Sequence, residues 1–451
     1  VELNVEANMF DGMVLLSTCD SVVPGQLMAA ARCNIPAIMV TGGYMPNACF
    51  RGKKINLVEV SSTVGKVIEG TYAKEDFDEM LKAGHYGCGA CGTMTTASSM
   101  CCIAEAMGMT LPGNATIDAC DKRLGAMGYE AGKAVMEMVK KGITARDIIT
   151  EASIKNAIIT DIAIAGSTNL LLHLPAIAHE AGIDRDWWAF FDEMSHKVPW
   201  ITGIAPCTKY SFTEWDMAGG MRGTIKTLLP LLDGDCMTVN GRTLRENNEN
   251  APIYDEDIIR PLSNPLTDDG GIAVLHGNIA PDGAIIKSSA VDKSQHHFVG
   301  KAKVFHEVDD ATAALKAGEI VPGDAVVIRY LGPKGRFGTT AFTFQKTVAG
   351  MSLRNEIAII TDGRFSGGTS GLSIGYIAPE AAIGGPLAAV KDGDTVIIDI
   401  PNRTINIDVS DEEIQARLKE VSWEIDLSDV KPMLRTFVRN VTSTAKGATW
   451  M

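Results

Sequence analysis

The 451-residue sequence contains no uninterrupted apolar run of about 18 residues, so no segment suits a membrane-spanning helix. It opens without a signal-peptide pattern. It also lacks any basic cluster that could follow a phosphate backbone, and its net charge is −14, which argues against a nucleic-acid partner. An acidic surface says little about a small anionic substrate, which is captured locally. No internal repeat and no low-complexity tract is present. Cysteine is missing from everything after Cys236, which is the last of ten. A disulfide framework would have no reason to spare so much of the chain. Free or metal-bound thiols in a reducing compartment are expected, either the cytoplasm or an organelle lumen reached with a transit peptide since removed.

What is present is 46% apolar and long enough for two domains. Val1 is not an initiator methionine, and VELNVEANMF reads as the end of a helix, so the start is expected to be a cut, a processing site or the first ordered residue of something longer. VRNVTSTAKGATWM reads as a natural terminus. The apolar run ending at Cys19, the helix-like QLMAAARC and the strand Pro36–Thr41 make a βαβ unit with parallel strands. Helices are expected over Arg123–Lys141, stopped by Gly142, and over Thr168–Ala181, stopped by Gly182. Thr144 with Asp147 should cap the helix between them. From about residue 262 short β-rich runs dominate: IAVL, AVVIRY, IAIIT, TVIIDI and TINIDV. The Pro-, Asn- and Gly-rich PLSNPLTDDGG marks the linker. The fold class is therefore α/β. Residues 1–262 form a parallel-sheet domain, and residues 263–451 a barrel-like β domain with flanking helices.

Three stretches could carry chemistry. Thr18-Cys19-Asp20-Ser21 ends a parallel strand, where ligands gather in open α/β sheets. A thiolate beside a carboxylate can serve a soft and a hard metal together; the bland alternative is a buried cysteine before a helix-capping aspartate. Gly87-Cys88-Gly89-Ala90-Cys91-Gly92 puts a CxxC among glycines just before a helix. Fe–S ligation, a redox pair or plain structure all fit. Zinc would want a second spaced pair, and Cys101-Cys102 is adjacent. Ile360 to Gly371 delivers Ser366 into a glycine-rich turn, where backbone N–H groups could surround an alkoxide or an anion. It is not a GxSxG elbow, and a solvated serine in a tight turn is the alternative. His173, mid-helix among Leu and Pro, reads first as a core histidine; Asp282 and Asp324 read as turn formers.

Together these stretches resemble the dihydroxy-acid dehydratases and their relatives acting on sugar acids and 6-phosphogluconate. The likeness runs from Asp11 to the C-terminus through FDGMVLLSTCD, CGACGTM, TLPGNAT, IAGSTNLLLHLPAIA, DGDCMTVNGRT, GGIAVLHGNIAPDGAIIK, PGDAVVIRYLGPKG and ITDGRFSGGTSG. The last two look more like the dihydroxy-acid branch, whereas TLPGNATIDACDKR has the flavour of the sugar-acid enzymes. The resemblance implies a carbon–oxygen lyase of branched-chain amino acid biosynthesis, working as a homodimer or larger homo-oligomer on a small 2,3-dihydroxy acid. It implies an iron–sulfur cluster, [2Fe–2S] rather than [4Fe–4S], held by three cysteines with one iron open as a Lewis acid. Mg²⁺ would orient the substrate carboxylate while a serine alkoxide takes the C2 proton, and loss of the C3 hydroxyl then yields a 2-keto acid. On this sequence Cys19 and Cys91 match cluster ligands, Asp20 a Mg²⁺ ligand and Ser366 the base. Gly367, Gly368 and Thr369 match the substrate-binding turn.

The sequence also departs from the family pattern. The first cluster cysteine and first Mg²⁺ aspartate of the family are expected before Val1. Ser21 stands where a carbamylated lysine is usual, and Ala341 falls where a glutamate ligand is usual. Fewer hard ligands should weaken octahedral Mg²⁺. An active dehydratase, a degenerate homologue serving as partner or regulatory subunit, and a thiol-based binding protein built on Cys88 and Cys91 are the competing readings.

Overall fold

The computed structural model describes residues 1–84, 87–428 and 430–450. The chain divides into two compact units. One comprises Val1–Val58 with Glu79–Gly271, and the other Glu59–Asp78 with Ile272–Met451. The sequence division at 262/263 differs from this in two ways. Residues 263–271 stay with the first unit, where Leu266 N donates to Trp200 O at 2.8 Å. The segment Glu59–Asp78 joins the second unit, where Glu69 accepts from both the amide and the hydroxyl of Ser352 at 2.7 Å.

In the first unit, β1 (Met13–Ser17) and β2 (Ala37–Thr41) pair in parallel from Met13↔Ala37 to Ser17↔Thr41. The helix Val22–Cys33 makes the crossover that parallel neighbours require. The parallel sheet has only these two strands among the described residues, and β3 (Ala48–Phe50) with β4 (Lys53–Ile55) forms a separate hairpin. Helices supply the rest. Thr96–Ala106 is buried on every side, as a helix of small and sulfur-bearing residues can be at the centre of a domain. Lys122–Lys141 ends at Gly142 in the left-handed region, and Thr144 with Asp147 forms the expected capping box. The helix Leu170–Glu180 carries the buried His173.

The second unit is built on a closed eight-stranded barrel in the order β10-β6-β5-β12-β11-β7-β8-β9. The strands are β5 (Ala273–Gly277), β6 (Ala280–Ile286), β7 (His297–Phe305), β8 (Asp324–Ile328), β9 (Ala358–Thr361), β10 (Ser373–Ala378), β11 (Thr395–Asp399) and β12 (Thr404–Ile407). Asp282 lies inside β6 rather than in a turn, because Gly283 at φ 114° bends that strand where its pairing with β10 shifts register. Along β8 and β9 the side chains alternate between two apolar cores. Ala325, Val327, Ala358 and Ile360 face one, and Val326, Ile328 and Ile359 face the other with Phe344 and Val348 of the helix Phe342–Ala349. Burial on both faces explains why these strands read as unbroken apolar runs. Ile360 is fully buried in the larger cluster. Ile360→Ala is expected to cost about 2–5 kcal/mol, measured as a lower urea midpoint; a shift too small to resolve would mean that the barrel interior is loosely packed.

β7, β8, β9 and β10 run parallel in succession. A parallel neighbour cannot be reached by a tight hairpin, so each connection is a long crossover. Between β9 and β10 that crossover is the stretch 362–372, the glycine-rich serine turn itself.

Candidate active site

In the first unit Cys19 leaves the carboxyl end of a parallel strand, and Cys91 lies in a turn held against the loop after β2. Cys19 follows β1, and its carbonyl accepts from the amides of Val22 and Val23, which starts the helix behind it. Cys91 follows Ala90, which is tied to the loop after β2: Ala90 N donates to Gly43 O at 2.9 Å and Met45 N donates to Ala90 O at 2.7 Å. The approach is close enough to need Gly89. Its φ is 114°, and a Cβ there would sit 2.6 Å from the Tyr44 carbonyl carbon. Ser98 fixes the turn from the following helix by donating to the carbonyls of Cys91 (2.6 Å) and Thr93 (2.8 Å).

The bland reading of Cys19-Asp20 does not hold. Cys19 is exposed, and the residue capping the helix is Ser21, which makes no side-chain cap bond. Asp20 therefore keeps its carboxylate. Its Oδ1 is buried, accepts no hydrogen bond, and lies 3.5 Å from Nε2 of His173. His173 is a buried histidine, as expected, and it also faces Asp20. By contrast, burial pushes the Cys101 thiol up to about 12 and Cys102 well above the ordinary thiol range, so neither is suited to act as a thiolate.

These donors suit the implied metals in kind. Exposed and half-buried thiols are soft ligands, and an orphaned buried carboxylate oxygen is a hard one. In number they fall short, since the described residues contain no cluster of three or more His, Cys, Asp or Glu side chains placed to hold a metal. The two substituted positions add nothing. Ser21 is an exposed helix-start residue, and Ala341 is fully buried in an apolar core, donating its amide to Arg364 O at 3.0 Å.

The same unit holds a buried carboxylate that the sequence did not single out. Glu105 accepts from the amides of Gly113 (2.6 Å) and Ala115 (2.9 Å), so the TLPGNAT loop is wrapped around it. Burial pushes its carboxyl up to about 7. A carboxyl raised on folding holds a proton that the unfolded chain has already released. Stability from this group is therefore greatest below about pH 4.5 and declines as pH rises toward 7. Urea midpoints across pH 4.5 to 7 are expected to show this fall, and Glu105→Gln should remove that component. A pH profile identical in both proteins would be the contrary result. At neutral pH Glu105→Gln should still lose about 1–3 kcal/mol, because its amide would point an N–H at an N–H.

In the second unit Ser366 is half-buried in the loop after β9. Three side chains hold that loop by its carbonyls. Lys287, just after β6, donates Nζ to Gly367 O at 3.4 Å; Lys346, from the helix Phe342–Ala349, donates to Gly368 O; Gln345 donates to Ser370 O at 3.0 Å. Both lysines are almost wholly buried, 3% and 4% exposed. Thr369 donates its amide (3.0 Å) and its hydroxyl to the Ser366 carbonyl, and Gly368 N points at Ser366 Oγ from 3.4 Å. Gly371, at φ 82°, closes the turn by donating to Ala290 O at 3.0 Å. The loop is therefore built, not a solvated tight turn.

Two further carboxylates brace the barrel rim. Asp362 accepts from the amides of Tyr330, Leu331 and Ala381, and Glu380 from those of Lys334 and Gly335, which fixes the RYLGPKG run. Burial raises both carboxyls, Glu380 to about 7. Asp324 is the first residue of β8 and still serves the preceding turn, accepting from Val321 N at 2.8 Å.

Lys287 and Lys346 escaped the sequence reading. Their signal was a cation set inside an apolar context, at the end of GAIIK and within AFTFQKTVA, where a solvated lysine would not be expected.

The α/β unit with its exposed strand-end Cys19 and adjoining Asp20, and the barrel unit with Ser366 on a lysine-braced glycine loop, have the make-up of an enzyme. The comparisons give it a lineage. Residues 1–247 match the dihydroxy-acid/6-phosphogluconate dehydratase N-terminal family model and residues 257–448 the C-terminal one. Dihydroxy-acid dehydratase of Agathobacter rectalis is 45% identical over 446 residues, 98% of this chain and 79% of the relative. The namesake protein of Lachnospira eligens is 45% identical over 98% of this chain and 80% of its own. That of Aquifex aeolicus is 41% identical over 99% and 81%. The chain belongs to the dihydroxy-acid/6-phosphogluconate dehydratase family and is a dehydratase. No described helix is long and apolar enough to cross a membrane.

Proposed function

We propose that the protein removes water from a 2,3-dihydroxy carboxylic acid of the 2,3-dihydroxyisovalerate type to give the 2-keto acid, the step that branched-chain amino acid biosynthesis requires. The observation that carries the mechanism is the Ser366 loop, with two buried ammonium groups on the carbonyls of Gly367 and Gly368. A hydroxyl is a poor base until ionised, and nearby buried positive charge together with the Gly368 N–H favours its anionic form. Ser366 Oγ then takes the C2 proton. Gly367 and Gly368, having no side chains, let a substrate come close to the backbone, while Thr369 keeps the loop in shape. Cys19 and Cys91 would hold the iron–sulfur cluster, [2Fe–2S] in type, and Asp20 would donate to Mg²⁺. When bound, these groups supply Lewis acidity to the departing C3 hydroxyl and anchor the substrate carboxylate. The reading includes a homodimer or larger homo-oligomer in a reducing, cytoplasmic setting.

The test is anaerobic reconstitution with iron and sulfide, then assay of keto acid from 2,3-dihydroxyisovalerate and, separately, from gluconate. Turnover of the branched dihydroxy acid is expected. Turnover of the sugar acid alone would move the protein to the sugar-acid branch; iron-loaded protein that converts neither would sink the reading.

A further inference from the structure

The turn that carries Cys91 also presents Cys88, and the fold does not pair these two as the CxxC spacing invited. Cys88 Sγ instead lies 3.7 Å from Cys120 Sγ, thirty-two residues along the chain, and both cysteines are exposed. Their backbones are held together independently of the sulfurs. Tyr44 is bridged to both Ala90 and Asp118, and Ala119 N donates to Tyr44 O at 2.9 Å. Gly89 lies so close to this segment that an added Cβ would sit 2.8 Å from Ala119 Cβ. Asp118 in turn fixes the start of the Cys120 segment by accepting from Cys120 N at 2.7 Å.

We propose that Cys88 and Cys120 form a redox-modification site that closes to an intramolecular disulfide on reaction with a small disulfide such as oxidised glutathione. The sulfurs stand in van der Waals contact, and a disulfide requires about 2.05 Å. Two solvent-facing side chains on rigidly spaced backbones can supply that approach by rotating about their own bonds. The Cys88 thiolate attacks one sulfur of oxidised glutathione, forming a mixed disulfide and releasing one glutathione thiolate. The Cys120 thiolate attacks the Cys88 sulfur and releases the second. Two thiol protons pass to solvent or to the leaving thiolates, and two electrons reduce one glutathione disulfide to two thiols. The crosslink ties the turn of Cys91 to the 117–121 segment. It leaves Cys91 itself outside the reaction, so the proposal does not depend on the dehydratase chemistry.

The experiment equilibrates the anaerobically purified full chain in glutathione buffers of graded ratio, traps free thiols with iodoacetamide, and maps peptides by mass spectrometry. A peptide pair joined through Cys88 and Cys120 is expected in oxidising buffer, lost on adding dithiothreitol, with two fewer alkyl groups per chain. Cys88→Ser should give glutathionylated Cys120 and no crosslink, and Cys120→Ser should give glutathionylated Cys88. Stable glutathione adducts on both cysteines of the unaltered chain would overturn the proposal. So would no oxidation at either, or a crosslink from Cys88 to Cys91.

Discussion

Ser366→Ala is expected to lower kcat for 2,3-dihydroxyisovalerate by about 10²–10⁴-fold, the usual contribution of a positioned base, with iron content and the visible spectrum unchanged. The substitution removes one hydroxyl from a loop whose shape is set elsewhere. The carbonyls of Gly367, Gly368 and Ser370 stay bound to Lys287, Lys346 and Gln345, and Thr369 holds the backbone carbonyl of residue 366 rather than its side chain. A loss of rate therefore reports on Oγ and not on collapse of the turn. Matched far-ultraviolet circular dichroism and urea midpoints would confirm that. A variant retaining activity within about tenfold of the parent falls below the range expected for a base, and the proton would then have to leave by another route.

The second large effect concerns the thiols. Cys91→Ser and Cys19→Ser are each expected to remove most of the iron and acid-labile sulfide from reconstituted protein and to bleach its colour, because a serine hydroxyl is a poor replacement for a soft thiolate. Cys88→Ser and Cys101→Ser should keep the parental iron content. Cys88 faces Cys120, and Cys101 is buried with its thiol pushed up to about 12. The pattern separates ligands from bystanders within one stretch of sequence. Equal iron loss in the Cys88 and Cys91 variants would mean that the CxxC pair binds the metal as a unit, and the assignment of Cys19 would need independent support.

Asp20 illustrates how the site depends on what surrounds each residue. The Cys-Asp pair at the end of a strand has an ordinary explanation, and the sequence could not choose between it and a metal site. The structure removes the ordinary one: Ser21 starts the helix, and Asp20 Oδ1 is buried without a hydrogen bond beside His173. A buried carboxylate oxygen left in that state is costly unless something positive meets it. His173 comes from a helix some 150 residues on, so only folding brings the two together.

Periodicity, turn residues and composition were enough to place the βαβ unit, the helix ends at Gly142 and Thr144, and the short strands of the second unit. These depend on local geometry, on the pleat of a strand, the turn of a helix and the conformations glycine allows. Motif spacing marked the stretches around Cys19, Cys88–Cys91 and Ser366, and it was the family resemblance that singled out Cys19, Cys91 and Ser366 within them. Long-range pairing decided the rest: the closure of eight strands into a barrel, the allocation of Glu59–Asp78 to the second unit, the turning of Cys88 toward Cys120, and the burial of Lys287, Lys346 and Glu105. A lysine or glutamate reads the same in a sequence whether it faces water or a backbone carbonyl. Its environment is assembled from residues far away along the chain, and that environment fixes its charge, its partners and its role.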